Sequence, residues 1–172
     1  MSTVEVFLDS GIFIAFLNRK DRHHIQATTL FSNPPPRWYT SALVRSEAYS
    51  WFLHKHGEDA ARMFRLFADS LNDLHVFDTE PEHHQQTCQV LDRLRGTKLT
   101  YVDASSLALM SKYEIRRAWA TDHHLGLTGQ AQQMRNTRPI HVRIEQTDLA
   151  AGAPQAIGHR RRDRALADSA FA

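Results

Sequence analysis

Along the chain, short runs of apolar and β-branched residues alternate with longer helical patterns. The short runs predict strands over 4–8, 37–41, 74–79, 117–121 and 139–145. The segments between them predict helices over 25–32, 42–56, 58–72, 81–95 and 103–115. Strands separated by helices of this length indicate βαβ units. We therefore predict an α/β fold: a single domain with a central, mainly parallel sheet of about five strands flanked by helices.

Composition supports one globular domain and argues against a secreted or membrane protein. The chain has 172 residues, 42% of them hydrophobic and 23% charged, which is enough to bury a core without disulfides. Near the start, Glu5 and Asp9 interrupt the apolar stretch, and the run Ile12–Leu17 is too short to cross a bilayer. Cys88 is the sole cysteine, so disulfides and Cys-based zinc sites are excluded. We expect a cytoplasmic protein without membrane association.

The net charge of +2 is concentrated in the last 22 residues. The segment 151–172 contains four arginines against two aspartates, which leaves residues 1–150 neutral. It follows a Gly/Pro/Ala break and has few apolar residues to bury, so we predict one folded domain over 1–150 and a flexible basic tail over 151–172. The arginine cluster is either a solvated chain end or a contact for nucleic-acid phosphate.

Two aspartates follow predicted strands directly. Asp9 ends the first strand in "VFLDSG", and Asp122 ends a later strand in "WATDHH". The carboxyl ends of parallel strands meet at one edge of the sheet, and ligands bind at that edge. We therefore expect these two carboxylates to lie on the same side of the molecule.

Glu47 interrupts the apolar stripe of the helix predicted over 42–56. It lies three or four residues from Leu43, Val44 and Trp51, so it shares their face of the helix. A carboxylate on a buried face is costly unless something compensates its charge. Glu47 is therefore either a ligand for a cation or a residue at the rim of the core that pairs with a distant basic side chain.

Asp103 begins the helix predicted in "DASSLALM". Aspartate at this position is a common and stabilising N-cap, so capping is the alternative to a role in the site. The two roles are compatible, because helix starts in this architecture also face the ligand edge.

Several carboxylates converging on one edge would repel one another strongly. Such a cluster is stable when a hard cation lies among the oxygens, and Mg²⁺ or Mn²⁺ is the usual choice. These ions activate water and neutralise the charge that develops on a phosphate during in-line displacement. The pattern thus points to phosphodiester chemistry.

In these features the chain resembles the PIN domain nucleases, particularly the VapC-type toxins of bacterial toxin–antitoxin pairs. The segments that carry the resemblance are "VFLDSGIFIAFLNRKDRHHIQA", "YTSALVRSEAYSWF" and "YVDASSLALMSKYEIRRAWATDHHL". By this resemblance, which covers about residues 4–145, the family's metal ligands correspond to Asp9, Glu47, Asp103 and Asp122.

The resemblance implies a Mg²⁺-dependent endoribonuclease, with Mn²⁺ as the alternative ion. It also implies an RNA substrate, a homodimer and a cognate antitoxin that holds the enzyme inactive. The extension past residue 150 departs from the compact members of the family. Two alternatives stay open: an RNA-processing nuclease that is not a toxin, and a module that binds RNA or a partner without cutting.

The histidines are not expected to bind metal. The triplet Asp122-His123-His124 also suggests the DHH phosphoesterases, but that family has the triplet early in the chain and a second domain, for which there is no room here. We expect His123 and His124 to contact RNA phosphate or to cap a helical turn. The other histidine pairs, His23-His24 and His83-His84, are predicted to lie on the surface.

Three further predictions concern neighbouring side chains. Ser10 is expected either to hydrogen-bond a ligand carboxylate or phosphate or to cap the first helix, and Thr121 to play a similar supporting role. The aromatic side chains at helical spacing are predicted to be mostly core, with some available to line a groove for an antitoxin. They are Phe13, Phe16, Trp51, Phe52, Phe64 and Phe67.

Overall fold

A five-stranded sheet forms the centre of the computed structural model, which describes residues 5–35, 37–121 and, for the backbone alone, 141–143. The strands are β1 (Glu5–Leu8), β2 (Arg37–Ser41), β3 (Leu74–Phe77), β4 (Arg117–Trp119) and β5 (His141–Arg143). Their order is β3-β2-β1-β4-β5. The first four strands are parallel, and β5 pairs antiparallel with β4 at one edge. The predicted mainly parallel α/β sheet is confirmed.

Six helices connect the strands over the described ranges. They are α1 (Ser10–Leu17), α2 (His24–Ser32), α3 (Ala42–His56), α4 (Glu58–Ser70), α5 (Pro81–Arg93) and α6 (Tyr101–Lys112). The prediction for α3 coincides with the observed bounds, and Ser41 caps this helix by accepting a hydrogen bond from the Val44 N–H. The helix α1 was not among those predicted from periodicity. Within the described part of the chain, no helix has both the length and the apolar character needed to cross a membrane.

Aromatic packing joins three helices on one face of the sheet. Phe13 of α1 lies edge-on to Phe64 of α4, with ring centroids 5.9 Å apart, and Phe52 of α3 stacks on Phe64 at 5.5 Å. These three rings are buried, and Phe16, Trp51 and Phe67 are partly buried against the same core, as predicted. The packing fixes α1 and α3, which both begin at the carboxyl edge of the sheet, relative to each other.

A polar contact lies buried between α5 and α6. His83 is only 3% exposed, and its Nε2 atom lies 2.6 Å from the Ser105 hydroxyl oxygen. The surface position predicted for His83 is therefore wrong, whereas its neighbour His84 is exposed. The physical reason is the helical spacing of His83, Thr87 and Val90, which places all three on the buried face of α5.

The other predicted histidine pair is half-buried rather than on the surface. The Nδ1 atom of His24 lies 2.9 Å from the carbonyl oxygen of Ala15, which attaches the start of α2 to α1. His123, His124 and the predicted basic tail over 151–172 lie outside the described residues.

Candidate active site

Asp9 lies at the carboxyl end of β1, the central strand, and is 3% exposed. Its backbone N–H donates to the carbonyl oxygen of Trp119 at 3.0 Å, which joins the ends of β1 and β4. Its side chain caps α1, because Oδ2 accepts a hydrogen bond from the Gly11 N–H at 3.4 Å. The alternative of Ser10 as the cap is therefore wrong, and Ser10 is the first residue of the helix. The helix dipole at this end stabilises the Asp9 carboxylate.

Gly11 lets the chain that leaves β4 approach the first turn of α1. A Cβ atom built on Gly11 would lie 2.0 Å from Oγ1 of Thr121, far inside the contact distance of real atoms. Thr121 therefore lies directly against the helix start that Asp9 caps. The contact also fixes Thr121 close to Asp9. The next residue in the sequence is Asp122, the second predicted aspartate.

Glu47 lies on α3, which leaves the carboxyl edge after β2. It is half-buried, six residues beyond the cap Ser41, or about 9 Å along the helix axis. The helix packs against both α1 and α6. Arg45 on the same helix forms an ion pair with Asp69 of α4. The structure thus places Glu47 on the edge-proximal half of a helix that contacts the helices of Asp9 and Asp103.

Asp103 lies in the first turn of α6 and is 5% exposed. The predicted N-cap role is wrong: the helix begins at Tyr101, its cap is Thr100, and Asp103 is the third helical residue. The two residues form a capping box, in which Asp103 Oδ2 accepts from the Thr100 N–H at 3.0 Å and hydroxyl at 2.8 Å. These bonds fix the orientation of the Asp103 carboxylate.

The direction of α6 places Asp103 at the ligand edge. The helix leads through a short turn into β4, so its C-terminal end lies near the start of that strand. Its 12 residues span about 18 Å back along the sheet. The first turn of α6 therefore lies at the carboxyl edge, as does the start of α1.

Three of the four predicted site residues are thus described, and Asp122 lies outside the described residues. Asp9 and Asp103 are buried carboxylates at helix starts, and Glu47 on α3 is half-buried. Carboxylate oxygens are hard donors, so their chemistry suits Mg²⁺ or Mn²⁺ rather than a soft metal. Within residues 5–35 and 37–121, no group of three or more His, Cys, Asp or Glu side chains is arranged to hold a metal ion.

Two residues that shape the site were not found by sequence reasoning. Gly11 has no local signal for its role, because that role is the contact with Thr121, a residue far away in the sequence. Thr100 lies outside the predicted helices, although Thr100 and Asp103 have the Thr-x-x-Asp spacing of a capping box. The signal for Thr100 is therefore local and present in the sequence.

Comparisons with known proteins agree with this architecture. A family model described as "PIN domain" matches residues 6–128. The chain is 27% identical over 124 residues to the 23S rRNA-specific endonuclease VapC20 of Mycobacterium tuberculosis (strain H37Rv), covering 72% of this chain and 94% of that protein.

Two solved structures show the same arrangement of the chain. The crystal structure of Mycobacterium tuberculosis VapC20, a Sarcin-Ricin loop cleaving toxin, aligns with a TM-score of 0.64 and 28% identity over 68% of this chain and 89% of that one. FitAcB from Neisseria gonorrhoeae aligns with a TM-score of 0.50 and 12% identity over 69% of this chain and 88% of that one, a likeness of fold alone.

Proposed function

The chain belongs to the PIN domain family, and from that premise we propose that it is a metal-dependent endoribonuclease and the toxin of a toxin–antitoxin pair. The observation that carries the proposal is the pair of buried carboxylates at helix starts on the ligand edge: Asp9 is the N-cap of α1, and Asp103 lies in the first turn of α6. The similarity to an endonuclease toxin over most of the chain supports the same activity.

Asp9, Glu47, Asp103 and Asp122 are the proposed ligands of Mg²⁺. When bound, the ion supplies an activated water and neutralises charge on the phosphate. Asp9 and Asp103 contribute carboxylates whose orientation is set by the Gly11 N–H and by Thr100. The N-termini of α1 and α6 add partial positive charge at the edge where a phosphodiester would bind.

RNA is the proposed substrate, with ribosomal RNA as the first candidate. The relative that covers most of this chain is named as specific for 23S rRNA, and its solved structure is described as a Sarcin-Ricin loop cleaving toxin. This chain and the relative are 27% identical. Two proteins at that distance share their catalytic chemistry more readily than their exact target. We therefore propose RNA as the class of substrate and leave the cleaved sequence to experiment.

An antitoxin is the proposed partner, and α2 and α4 provide a surface for it. Ile25 of α2 is 80% exposed, and Met63 and Leu66 of α4 are 65% and 48% exposed. The two helices meet through the rings of Phe31 and Phe67, with centroids 5.5 Å apart. An amphipathic segment of the antitoxin would cover such apolar side chains. Without antitoxin, we propose that the chain is a homodimer, which light scattering of the purified protein tests.

Cleavage of purified rRNA with and without Mg²⁺ tests the proposed activity. The wild-type protein should cut in Mg²⁺ and lose activity in EDTA. Asp9→Asn should reduce the rate by about 100-fold or more while the protein stays folded, because asparagine also caps helices well. Asp73→Asn is the matched control, since Asp73 is exposed and precedes β3 at the opposite edge of the sheet. Equal activity of the Asp9 variant and the control, or full activity in EDTA, would overturn the proposal.

A further inference from the structure

The adjacent histidines His83 and His84 of α5 contact α6 at residues that flank Asp103 in the sequence. The Nε2 atom of His83 lies 2.6 Å from the hydroxyl oxygen of Ser105, two residues after Asp103. The Nδ1 atom of His84 lies 2.9 Å from the hydroxyl oxygen of Tyr101, two residues before it. These two hydrogen bonds, here called the histidine clamp, join the first turn of α5 to the start of α6.

The inner bond of the clamp is buried and holds α6 in one orientation. His83 is 3% exposed, and Ser105 is fully buried. Rotation of α6 about its axis would move the Ser105 hydroxyl away from the imidazole and leave two buried polar groups without each other. A buried group that loses its hydrogen bond is costly, and a satisfied buried pair specifies one arrangement of the elements that it joins. The inner bond therefore fixes the rotation of α6 against α5.

The outer bond of the clamp holds the first residue of α6 from the solvent side. His84 is exposed, and Tyr101 is 37% exposed. Their rings stack with centroids 5.9 Å apart and an interplanar angle of 29°. Tyr101 directly follows the cap Thr100, so it lies at the end of the helix, where helices fray. The outer bond therefore attaches this end of α6 to α5.

Asp103 lies between the two points at which the clamp holds α6. Its carboxylate is oriented within the helix start, because Oδ2 accepts hydrogen bonds from the Thr100 N–H and hydroxyl. Those bonds are local and do not determine where α6 lies in the domain. The clamp adds that constraint, since α5 directly follows β3 in the chain and is joined to the sheet there. The capping box thus sets the direction of the carboxylate, and the clamp sets its place.

From this arrangement we propose that His83 and His84 are positioning residues, which hold Asp103 where it contributes to a divalent-metal site. The inference rests on the proposed nuclease function and deepens it, because it gives a role to a histidine pair outside the proposed ligands. Removing groups that hold a metal ligand in place typically weakens metal binding about 10- to 100-fold. Loss of the clamp should therefore weaken metal binding in protein that is still folded, which loss of a contact with a structural role alone would not do.

Binding of Mn²⁺ to the full-length protein, measured by isothermal titration calorimetry, tests the inner bond. Ser105→Ala removes the hydroxyl that contacts His83 and should raise Kd for Mn²⁺ about tenfold. Ser106→Ala is the matched control, because this neighbouring serine is equally buried and its hydroxyl has no hydrogen-bond partner within the described part of the chain. The control should bind Mn²⁺ within about twofold of the wild type, since it loses no hydrogen bond. Circular dichroism checks that both variants are folded.

Tyr101→Phe tests the outer bond, since it removes the hydroxyl that contacts His84 and keeps the ring. Because this bond is exposed, Kd for Mn²⁺ should rise by a smaller factor, about threefold. The change lies on the surface, so this variant should stay folded even if Ser105→Ala does not. In that case the outer bond decides, and an unchanged Kd for Tyr101→Phe would overturn the proposal.

Cleavage of rRNA separates this proposal from the proposed function. If the wild type cleaves but Ser105→Ala binds Mn²⁺ as tightly as Ser106→Ala, the clamp proposal is overturned and the nuclease stands. If the wild type cleaves but binds Mn²⁺ too weakly for calorimetry, the Mn²⁺ concentration at half-maximal rate gives the same comparison. If Ser105→Ala loses Mn²⁺ affinity and the control does not, but the wild type does not cleave, the clamp stands and the nuclease proposal fails. A wild type that neither binds Mn²⁺ nor cleaves would overturn both.

Discussion

Gly11 leaves the space in which the chain after β4 approaches the first turn of α1. Gly11→Ala would place a methyl group 2.0 Å from the Thr121 hydroxyl oxygen, so either that side chain or the backbone has to move. We expect a loss of about 1–3 kcal/mol in the free energy of unfolding, the usual range for overpacking. RNA cleavage should fall as well, because the displaced chain leads into Asp122. Urea denaturation and the cleavage rate measure the two effects.

The double variant Gly11→Ala with Thr121→Ala tests the cause of that loss. Removing Oγ1 of Thr121 leaves its Cβ as the nearest atom, 3.2 Å from the added methyl carbon, a tight but tolerable contact. Most of the lost stability should return. A double variant no more stable than Gly11→Ala alone would mean that the Thr121 contact is not what makes glycine necessary.

His83 makes the stability of the fold depend on pH. Burial lowers the pKa of His83 below its ordinary value of 6.5, and nearby Lys112 acts in the same direction, with Glu80 opposing. The unfolded chain therefore takes up a proton on this residue at higher pH than the folded protein does. Stability is complete above about pH 6.5 and is lost as pH falls through 6.5 toward the lower value in the folded state.

The free energy of unfolding at pH 7.5 and pH 5.5 measures this effect. His83→Gln should show a smaller drop between the two values than the wild type, because the titrating group is absent. His84→Gln, which alters the exposed neighbour on the same helix, should keep the wild-type drop. The same drop in wild type and His83→Gln would show that other groups cause the acid sensitivity.

At the scale of elements, the residue Glu114 just after α6 has a left-handed backbone conformation that favours glycine. Glu114 has φ +56°, and the Ile115 N–H donates to the carbonyl oxygen of Met110 at 2.9 Å, the pattern of a Schellman motif. Glycine is favoured at this position, and a negative charge at a helix C-terminus is unfavourable.

Glu114→Gly should therefore raise the free energy of unfolding by about 1 kcal/mol, observed as a higher urea midpoint. Glu114→Ala is the control, because it removes the charge but keeps the Cβ atom that disfavours this conformation. A gain from alanine as large as that from glycine would assign the effect to charge rather than to backbone strain.

The sequence predicts some helices better than others, and α3, α1 and α6 show the physical reasons. The bounds of α3 could be predicted because Ser41 caps its start and Gly57 follows its end. The helix α1 has no polar face, since its residues after Gly11 are all apolar. Periodicity therefore carries no signal there, and the helix is stabilised by tertiary packing. The predicted start of α6 at Asp103 is two residues late, because the cap of this helix is Thr100 and its first residue is Tyr101.

At the scale of the whole molecule, the order of strands and helices predicts which edge carries the site but not its geometry. Asp9 and the first turn of α6 lie at the carboxyl edge, as the βαβ pattern required. The approach of Thr121 to Gly11 depends instead on packing between segments far apart in the sequence. No local pattern determines such a contact. The metal-ligand roles of Asp9, Glu47, Asp103 and Asp122 stay predictions.

The division of the chain at residue 150 is also a prediction, since residues 144–172 lie outside the described ranges. Deleting 151–172 should leave cooperative unfolding intact, because this basic segment has few apolar residues with which to extend the core. Thermal unfolding of the full-length and truncated proteins measures this. A truncated protein that unfolds without cooperativity would place the domain boundary further along the chain.

The central claim is that carboxylates and a divalent metal cleave RNA, and it is tested most directly at "ATDHHL". The measurement is the Mg²⁺-dependent rate of RNA cleavage by Asp122→Asn, His123→Ala and His124→Ala, each shown to be folded by circular dichroism. Asp122→Asn should cut about 100-fold more slowly or worse, because it removes one negative charge from the cation site while keeping the shape of the side chain. Both histidine variants should retain most of the wild-type rate. A folded histidine variant as inactive as Asp122→Asn would make that histidine a ligand or a general acid and contradict the carboxylate account.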